Sequence, residues 1–328
     1  MTRAREPPFD LMSYARRGPG RRDHLSPAQI QQIARTVQRT PEVMVKVLPR
    51  GSNSLASVQK HLGYIGRHGE VPLETDEGET LPSGQTAKDL LADWDLDLEG
   101  YRGKSDLLAT RSKTSPKLVH KVMFSMPPGT PADKVLTAVR TFCREEFALK
   151  HRYALALHTD EPHPHVHVVI KAMSEQGERL HIRKTTLRHW RSEFARHLRD
   201  IGVPANATER FVRGETRPRY HDGIYRAELR GESTHLRDKV WAVMDKRAHG
   251  LLRDEPGKHK MMSTRREVRR AWGTVGTQLR ESGLLDLAGK VQRFAEQMQP
   301  PRTEAEIMPS EVFNRVRKSR EPATARSR

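Results

Sequence analysis

The chain has 328 residues, with 59 lysines and arginines against 41 acidic residues, a formal net charge of +18. That length allows one large domain or two modest ones with a real core, and the charge points to a polyanion such as nucleic acid, whose neutralised phosphates release counterions. No apolar run could span a bilayer, no leading segment has a signal peptide's apolar centre, and one cysteine, Cys143, excludes an internal disulfide and a thiolate metal cage.

Residues 1 to about 40 read as a basic flexible arm, with the cluster from Arg16 to Arg22 and a short polar helix over Ser26–Thr36. Order is expected to begin with a β-branched strand at Val43–Leu48. Ser52 or Ser54 then caps a helix carrying Leu55, Val58, Leu62 and Ile65. Residues 66 to 117 are acidic and turn-rich, with a short helix predicted at Ala87–Trp94. A strand over Val119–Met126 ends at Pro127-Pro128-Gly129, and Thr130 is the expected cap of a helix running to about Phe147. Cys143 falls in its apolar periodicity and reads as a core residue.

Two strands follow, Tyr153–His158 and His165–Ala172, joined by a turn from Thr159 to Pro164. A basic amphipathic helix comes next, with Leu187, Trp190, Phe194, Leu198 and Ile201 on one face and Arg188, Arg191, Arg196 and Arg199 on the other. From roughly 225 the chain reads as helical and charged, with one long helix at Arg265–Met298, and the last dozen residues read as disordered.

The strand–turn–strand segment carries the chemistry. Alternate strand residues share a face, so His165 and His167 point the same way, and the turn brings His158 across to them. Three imidazoles on a rigid sheet leave open positions on a divalent cation, as a catalytic site requires. A buried structural zinc site is another reading, though no fourth ligand is obvious and a thiolate cage is excluded, and sixteen histidines make any isolated one uninformative. Asp160 and Glu161 are each able to orient a ligand or accept a proton, while His163 reads as a solvated turn residue. A phosphodiester activated there still needs an attacker. Of six tyrosines, Tyr64 lies at the end of the first helix among small and basic neighbours, in His61-Leu62-Gly63-Tyr64-Ile65-Gly66-Arg67. A helix-end tyrosine packed under a loop would look the same.

The segments Val45–Gly69, Val119–Thr130 and His158–Lys171 together resemble the ordered motifs of MobP-type relaxases in the HUH endonuclease superfamily, with a special likeness to the T-DNA border endonuclease. The likeness continues to about Gly214 and covers about half the chain. It implies an α+β domain over about 41–225, a mostly antiparallel sheet of about five strands flanked by helices. A helical charged region at 226–300 and a basic disordered tail at 301–328 would follow. It implies Tyr64 as nucleophile, His158, His165 and His167 as ligands of Mg²⁺ or Mn²⁺, and Asp160 or Glu161 as proton acceptor. The imidazoles alone would hold Zn²⁺ or Ni²⁺ more tightly. Two departures stand out: the family commonly has asparagine where Lys171 stands, and the tyrosine lies farther from the N-terminus than usual.

The reaction implied is strand-specific nicking and rejoining at an origin of transfer through a 5′-phosphotyrosyl intermediate. Arg67, Lys171, Arg183, Lys184, Arg188 and Arg191 are the candidate DNA contacts. The implied partners are single-stranded and duplex DNA, relaxosome accessory proteins and a type IV coupling protein. The implied location is the bacterial cytoplasm, with export on the attached strand. Two rivals remain. A rolling-circle replication initiator would use a tyrosine after the histidines, Tyr220 or Tyr225, and a non-catalytic DNA-binding accessory protein would hold a structural metal.

Overall fold

The computed structural model describes residues 9–15, 24–48, 53–81, 86–96, 116–215, 227, 234–250, 256–303 and 305–307. The chain divides into two compact units, Arg39–Ala207 and the combination of Met1–Gln38 with Thr208–Arg328.

The first unit is α+β. Its strands are β1 (Met44–Val47), β2 (Leu73–Thr75), β3 (Thr80–Leu81), β4 (Val119–Ser125), β5 (Tyr153–His158) and β6 (His165–Lys171). They form one sheet in the order β1-β4-β6-β5-β2-β3, antiparallel at every pairing. Four strands stand where β-branched runs predict them. The β2–β3 hairpin lies in the acidic, turn-rich segment where no strand is expected, because two or three residues are too few to display an alternation.

Period two sorts the side chains of this sheet onto two faces. Val122, Phe124, Leu155, Val166, Val168 and Ile170 face one way and are buried. Two helices of this unit, Ala132–Phe147 and Lys184–Asp200, cover them with Val139, Phe142, Phe147, Trp190 and Phe194. Val119, Ala154, Ala156 and Val169 face the other way. The helices Leu55–Ile65 and Thr86–Asp93 cover these through Val58, Leu62, Ile65 and Leu90, with Trp94 just beyond. Ser54 caps the helix Leu55–Ile65 by accepting from the Ser57 amide, while Ser52 lies outside the described residues. The expected Thr130 cap is corrected: Pro131 takes the cap position, and the Thr130 hydroxyl instead donates to the Pro127 carbonyl at 2.9 Å, closing the preceding turn. Cys143 is fully buried, and burial raises its thiol pKa.

The second unit is helical, and the helices of the chain are numbered from here as α1 (Leu11–Ala15), α2 (Pro27–Val37), α3 (Leu55–Ile65), α4 (Thr86–Asp93), α5 (Ala132–Phe147), α6 (Lys184–Asp200), α7 (Thr234–Ala248), α8 (Pro256–Glu281) and α9 (Leu285–Glu296). The N-terminal segment read as an arm is not free where it is described. Ser26 and Gln29 form a capping box on α2, and Leu11, Tyr14 and Ile33 are buried with Trp272, Val275 and Phe294 of α8 and α9. That packing joins residues more than two hundred positions apart, so no local pattern announces it. The single long helix expected at Arg265–Met298 is two helices, broken where Gly283 adopts φ +78°. The expected disordered tail begins with placed residues: Lys258 pairs with Glu306 at 2.6 Å and Thr303 is buried. The Arg16–Arg22 cluster and the last dozen residues lie outside the described residues. No described helix is long and apolar enough to cross a membrane.

Phe124 is 0% exposed, with ring centroids 4.9 Å from Phe142 and 5.3 Å from Phe194. Phe124→Ala is predicted to lower unfolding free energy in urea by about 3–5 kcal/mol; a loss below about 1 kcal/mol would contradict close packing on this face.

Candidate active site

Antiparallel register assembles the histidines. His158 on β5 pairs directly with His165 on β6, and His167 follows two residues along on the same face, opposite Ala156 and Met123. The ring centroids of His158, His165 and His167 lie 4.7–5.3 Å apart, and one candidate ligand nitrogen from each falls within 4.8 Å of the others. His158 and His167 are buried and His165 is half-buried.

Backbone carbonyls set two of the tautomers. His158 Nε2 lies 2.7 Å from the Ile65 carbonyl, which can only accept, so Nε2 carries the proton and Nδ1 keeps its lone pair. His165 Nδ1 donates to the His163 carbonyl at 3.0 Å, freeing Nε2. Donation of the second ring nitrogen to a carbonyl is the usual arrangement behind a ligating histidine. The Nδ1 of His167 is buried without a hydrogen-bond partner among the described residues. Three clustered imidazoles, two oriented by carbonyls and one with an orphaned nitrogen, fit a divalent cation.

Helix α3 lies over the same sheet face and ends there. Its Tyr64 ring is 6.3 Å from His158 and 6.1 Å from His167, and 43% of the residue is exposed. Gly66 caps the helix, its amide donating to the Leu62 carbonyl, and a Cβ there would crowd that carbonyl at 3.3 Å. The chain then turns through two left-handed non-glycine residues, Arg67 (φ 48°) and His68 (φ 54°). Such conformations cost about 1–3 kcal/mol each and persist where surrounding structure enforces them. Here the turn carries the Arg67 guanidinium to 5.2 Å from the Tyr64 ring centre, 3.4 Å from His158 Nδ1, and into an ion pair with Asp160. That hydrogen bond holds the Asp160 carboxyl below its ordinary range. Glu161 and His163 are exposed on the turn between β5 and β6.

One participant is absent from the sequence expectations. His61 stacks on Tyr64 with centroids 6.1 Å apart, meets His167 edge-on at 6.1 Å, and has a buried Nε2 without a partner among the described residues. Its position three residues before Tyr64, on the same helical face, is the signal that could have found it. Burial, then the charges of Lys121 and His158, press its pKa down to about 4. Burial, then His158 and His165, press His167 down to about 3. Both rings are therefore neutral near neutral pH, the form that ligates metal.

The other expected contacts do not converge here. Lys171 shares the histidine face but lies six residues beyond His165, about 20 Å along the strand, buried and paired with Glu175 at 3.2 Å. Arg183, Lys184, Arg188 and Arg191 belong to α6 or its cap, which covers the opposite face, and Arg191 donates to the Val45 carbonyl at 3.3 Å. Periodicity tells which side of a helix is wet, not which face of a sheet it covers. Tyr220 and Tyr225 lie outside the described residues. A second group with ligand-like spacing, Glu145, Glu193 and His197, already has its acids paired to Arg196 at 2.6 and 3.0 Å.

Because both imidazoles are harder to protonate in the fold than at the ordinary 6.5, the unfolded chain binds more protons below that pH. Their contribution to stability is complete above about 6.5 and shrinks as pH falls toward 3. In chelator, the urea midpoint should decline across that window, and His167→Gln should flatten the decline; an unchanged slope in the variant would remove His167 from this account.

Residues 85–202 match the family model for the relaxase MobA/VirD2-like nuclease domain. The match includes β4 to α6 with the three histidines, and begins after Tyr64. No curated protein matches the chain. A solved chain described under "Molecular Basis of Vancomycin Resistance Transfer in Staphylococcus aureus" overlaps 52% of this chain and 98% of its own, at 14% identity and a TM-score of 0.32. That score is too low to equate the two folds. Residues 85–202 thus carry the likeness to the nuclease domain of MobA/VirD2-like relaxases, and the three histidines lie within it.

Proposed function

We propose that the chain nicks and rejoins one DNA strand at an origin of transfer by transesterification, with Tyr64 as the nucleophile. The observation that carries this reading is an exposed phenol on the histidine face, beside both His158 and His167 and under a guanidinium. An arginine so placed offers counter-charge to a phosphate brought up to the phenol.

In the reaction the Tyr64 oxygen forms a bond to the scissile phosphorus while the bond from phosphorus to the departing 3′-oxygen breaks. The fragment that begins with the new 5′-phosphate stays on the tyrosine, and the 3′-oxygen of the other fragment leaves as a hydroxyl after taking a proton. One phosphodiester replaces another, so resealing is the reverse reaction and needs no nucleotide hydrolysis. His158, His165 and His167 would hold a divalent cation, Mg²⁺ or Mn²⁺ by family, which supplies Lewis-acid stabilisation of charge on the phosphate. Asp160 is the carboxylate connected to Tyr64 through Arg67, which gives it two roles: fixing the guanidinium and standing ready for the phenolic proton. Its depressed pKa makes the first role the stronger. Accessory proteins and a coupling protein would act with the chain in the bacterial cytoplasm, before export of the attached strand.

The test uses labelled single strands from the neighbouring origin region with Mg²⁺ or Mn²⁺. We expect a protein–DNA adduct that survives boiling in detergent and disappears with chelator and in Tyr64→Phe. Persistence in Tyr64→Phe with loss in Tyr220→Phe or Tyr225→Phe would transfer the protein to the replication initiators. Arg67→Ala should leave adduct chemistry intact but slower, by about 10- to 1000-fold if the guanidinium stabilises developing charge. Calorimetry should show metal binding that His165→Ala weakens while Tyr64→Phe does not.

A further inference from the structure

The first unit also holds a pocket away from the histidines. It has a volume of about 370 Å³, with Leu180, Ile182 and Leu187 as apolar walls and Lys117 and Arg179 as cations at its border. No acidic residue is among the described residues that line it. His120 lies on β4, five residues from the Ser125 that pairs with His165, so the pocket is about 17 Å from the metal-type cluster along the strand. It also opens on the other face: His120 pairs with Ile170, whose side chain belongs to the α5–α6 core.

The chemistry of the pocket is set by His120, which is 8% exposed. Its Nε2 lies 2.9 Å from the Leu180 carbonyl and so carries the proton. Its Nδ1 is therefore an acceptor, and it is buried with no partner among the described residues. A buried acceptor left unpaired costs free energy that a donor on a ligand recovers. Burial, ahead of every charge nearby, holds the ring's pKa down to about 4, so the acceptor persists at neutral pH. A fitting ligand needs a flat apolar body for the walls, a hydrogen-bond donor for Nδ1 and an anionic group for Lys117 and Arg179.

We propose that this pocket takes one nucleotide of a DNA strand, with an amino-bearing base (adenine, cytosine or guanine) donating to His120 Nδ1 and a flanking phosphate held by Lys117 and Arg179. The inference rests on the nicking reading for its choice of strand DNA. Extruded bases are commonly read this way, by apolar contact on the face and hydrogen bonds on the edge. The start of α6 supports the placement. Ile182 lines the pocket immediately before the helix cap at Arg183, so a helix N-terminus and the exposed Arg183 and Lys184 stand beside it for the strand's phosphates. The basic residues that do not reach the tyrosine thereby acquire a strand to hold.

The experiment measures anisotropy of labelled single strands on the full chain in chelator, which prevents nicking. A strand of N3-methylthymine, whose bases keep no N–H donor, is compared with strands carrying one central cytosine, adenine or guanine. The wild-type protein should bind the amino-bearing strands about 2- to 10-fold more tightly, the range of one net hydrogen bond. His120→Leu should erase the preference, and His120→Gln, which keeps an acceptor, should retain part of it. Lys117→Ala should weaken all strands alike and reduce the salt dependence. Equal affinity for every strand in the wild type overturns the pocket whatever the variants do, as does a preference unchanged in a folded His120→Leu; nicking would be untouched by either result. Failure to bind any strand would overturn the nicking reading as well. Free dCMP separates two sources of the same chemistry: competition for the preference assigns the pocket to free nucleotides, and indifference assigns it to the strand.

Discussion

The site depends on the register between β5 and β6. With His158 opposite His165 and His167 two residues on, three imidazoles share one sheet face within reach of one another. A slip of one residue would turn His165 and His167 to the face buried under α5 and α6, exchanging them with Val166 and Val168. The apolar alternation of β6 therefore pins the geometry of the histidine cluster: Val166, Val168 and Ile170 can be buried only when the histidines face α3. The pairing of β6 with β4 on its other side holds the same register over seven residues. A central strand paired on both sides has little freedom to slide, which is what a ligand set requires.

Onto that fixed face the fold lays the end of a helix. Val58, Leu62 and Ile65 seat α3 on Ala154, Ala156 and Val169, small or branched side chains that let the helix approach. The same seating puts His61 and Tyr64, one turn apart, over His158 and His167. The Ile65 carbonyl, exposed by the helix end, then fixes the His158 tautomer. One helix terminus thus provides the phenol, the tautomer and, through the left-handed turn at Arg67 and His68, the guanidinium.

How much of this was legible follows from the range of each interaction. Four strands, the capped helix at Leu55 and the common face of His165 and His167 are local patterns, and local patterns are what a sequence displays. The meeting of Tyr64 with His158 is not local, and only the resemblance to relaxases joined them. The Arg67–Asp160 pair spans ninety-three residues and depends on a left-handed turn that no residue type signals there. The packing of α1 and α2 with α8 and α9 was invisible for the same reason, and a short polar helix near basic residues read as an arm. The arginines of α6 were identified as basic and exposed, yet their sheet face is decided by the apolar residues Trp190, Phe194 and Leu198, whose partners the sequence does not name.

Electrostatics joins these parts. Burial first, and then Lys121 beside His61 and Arg67 beside His158 and His167, disfavours the charged imidazoles. The carboxylate that faces Arg67 is Asp160, on the turn, and its charge is spent on that pair. The face consequently has lone pairs to give a cation and positive charge to give an anion, but among the described residues no surplus negative charge of its own. A divalent ion alone would gain ligands and meet repulsion; a phosphate alone would gain counter-charge and no Lewis acid. A phosphodiester carrying its cation satisfies both needs at once, and that complementarity is the physical reason this arrangement of neutral histidines, tyrosine and arginine suits strand transfer better than a structural metal site.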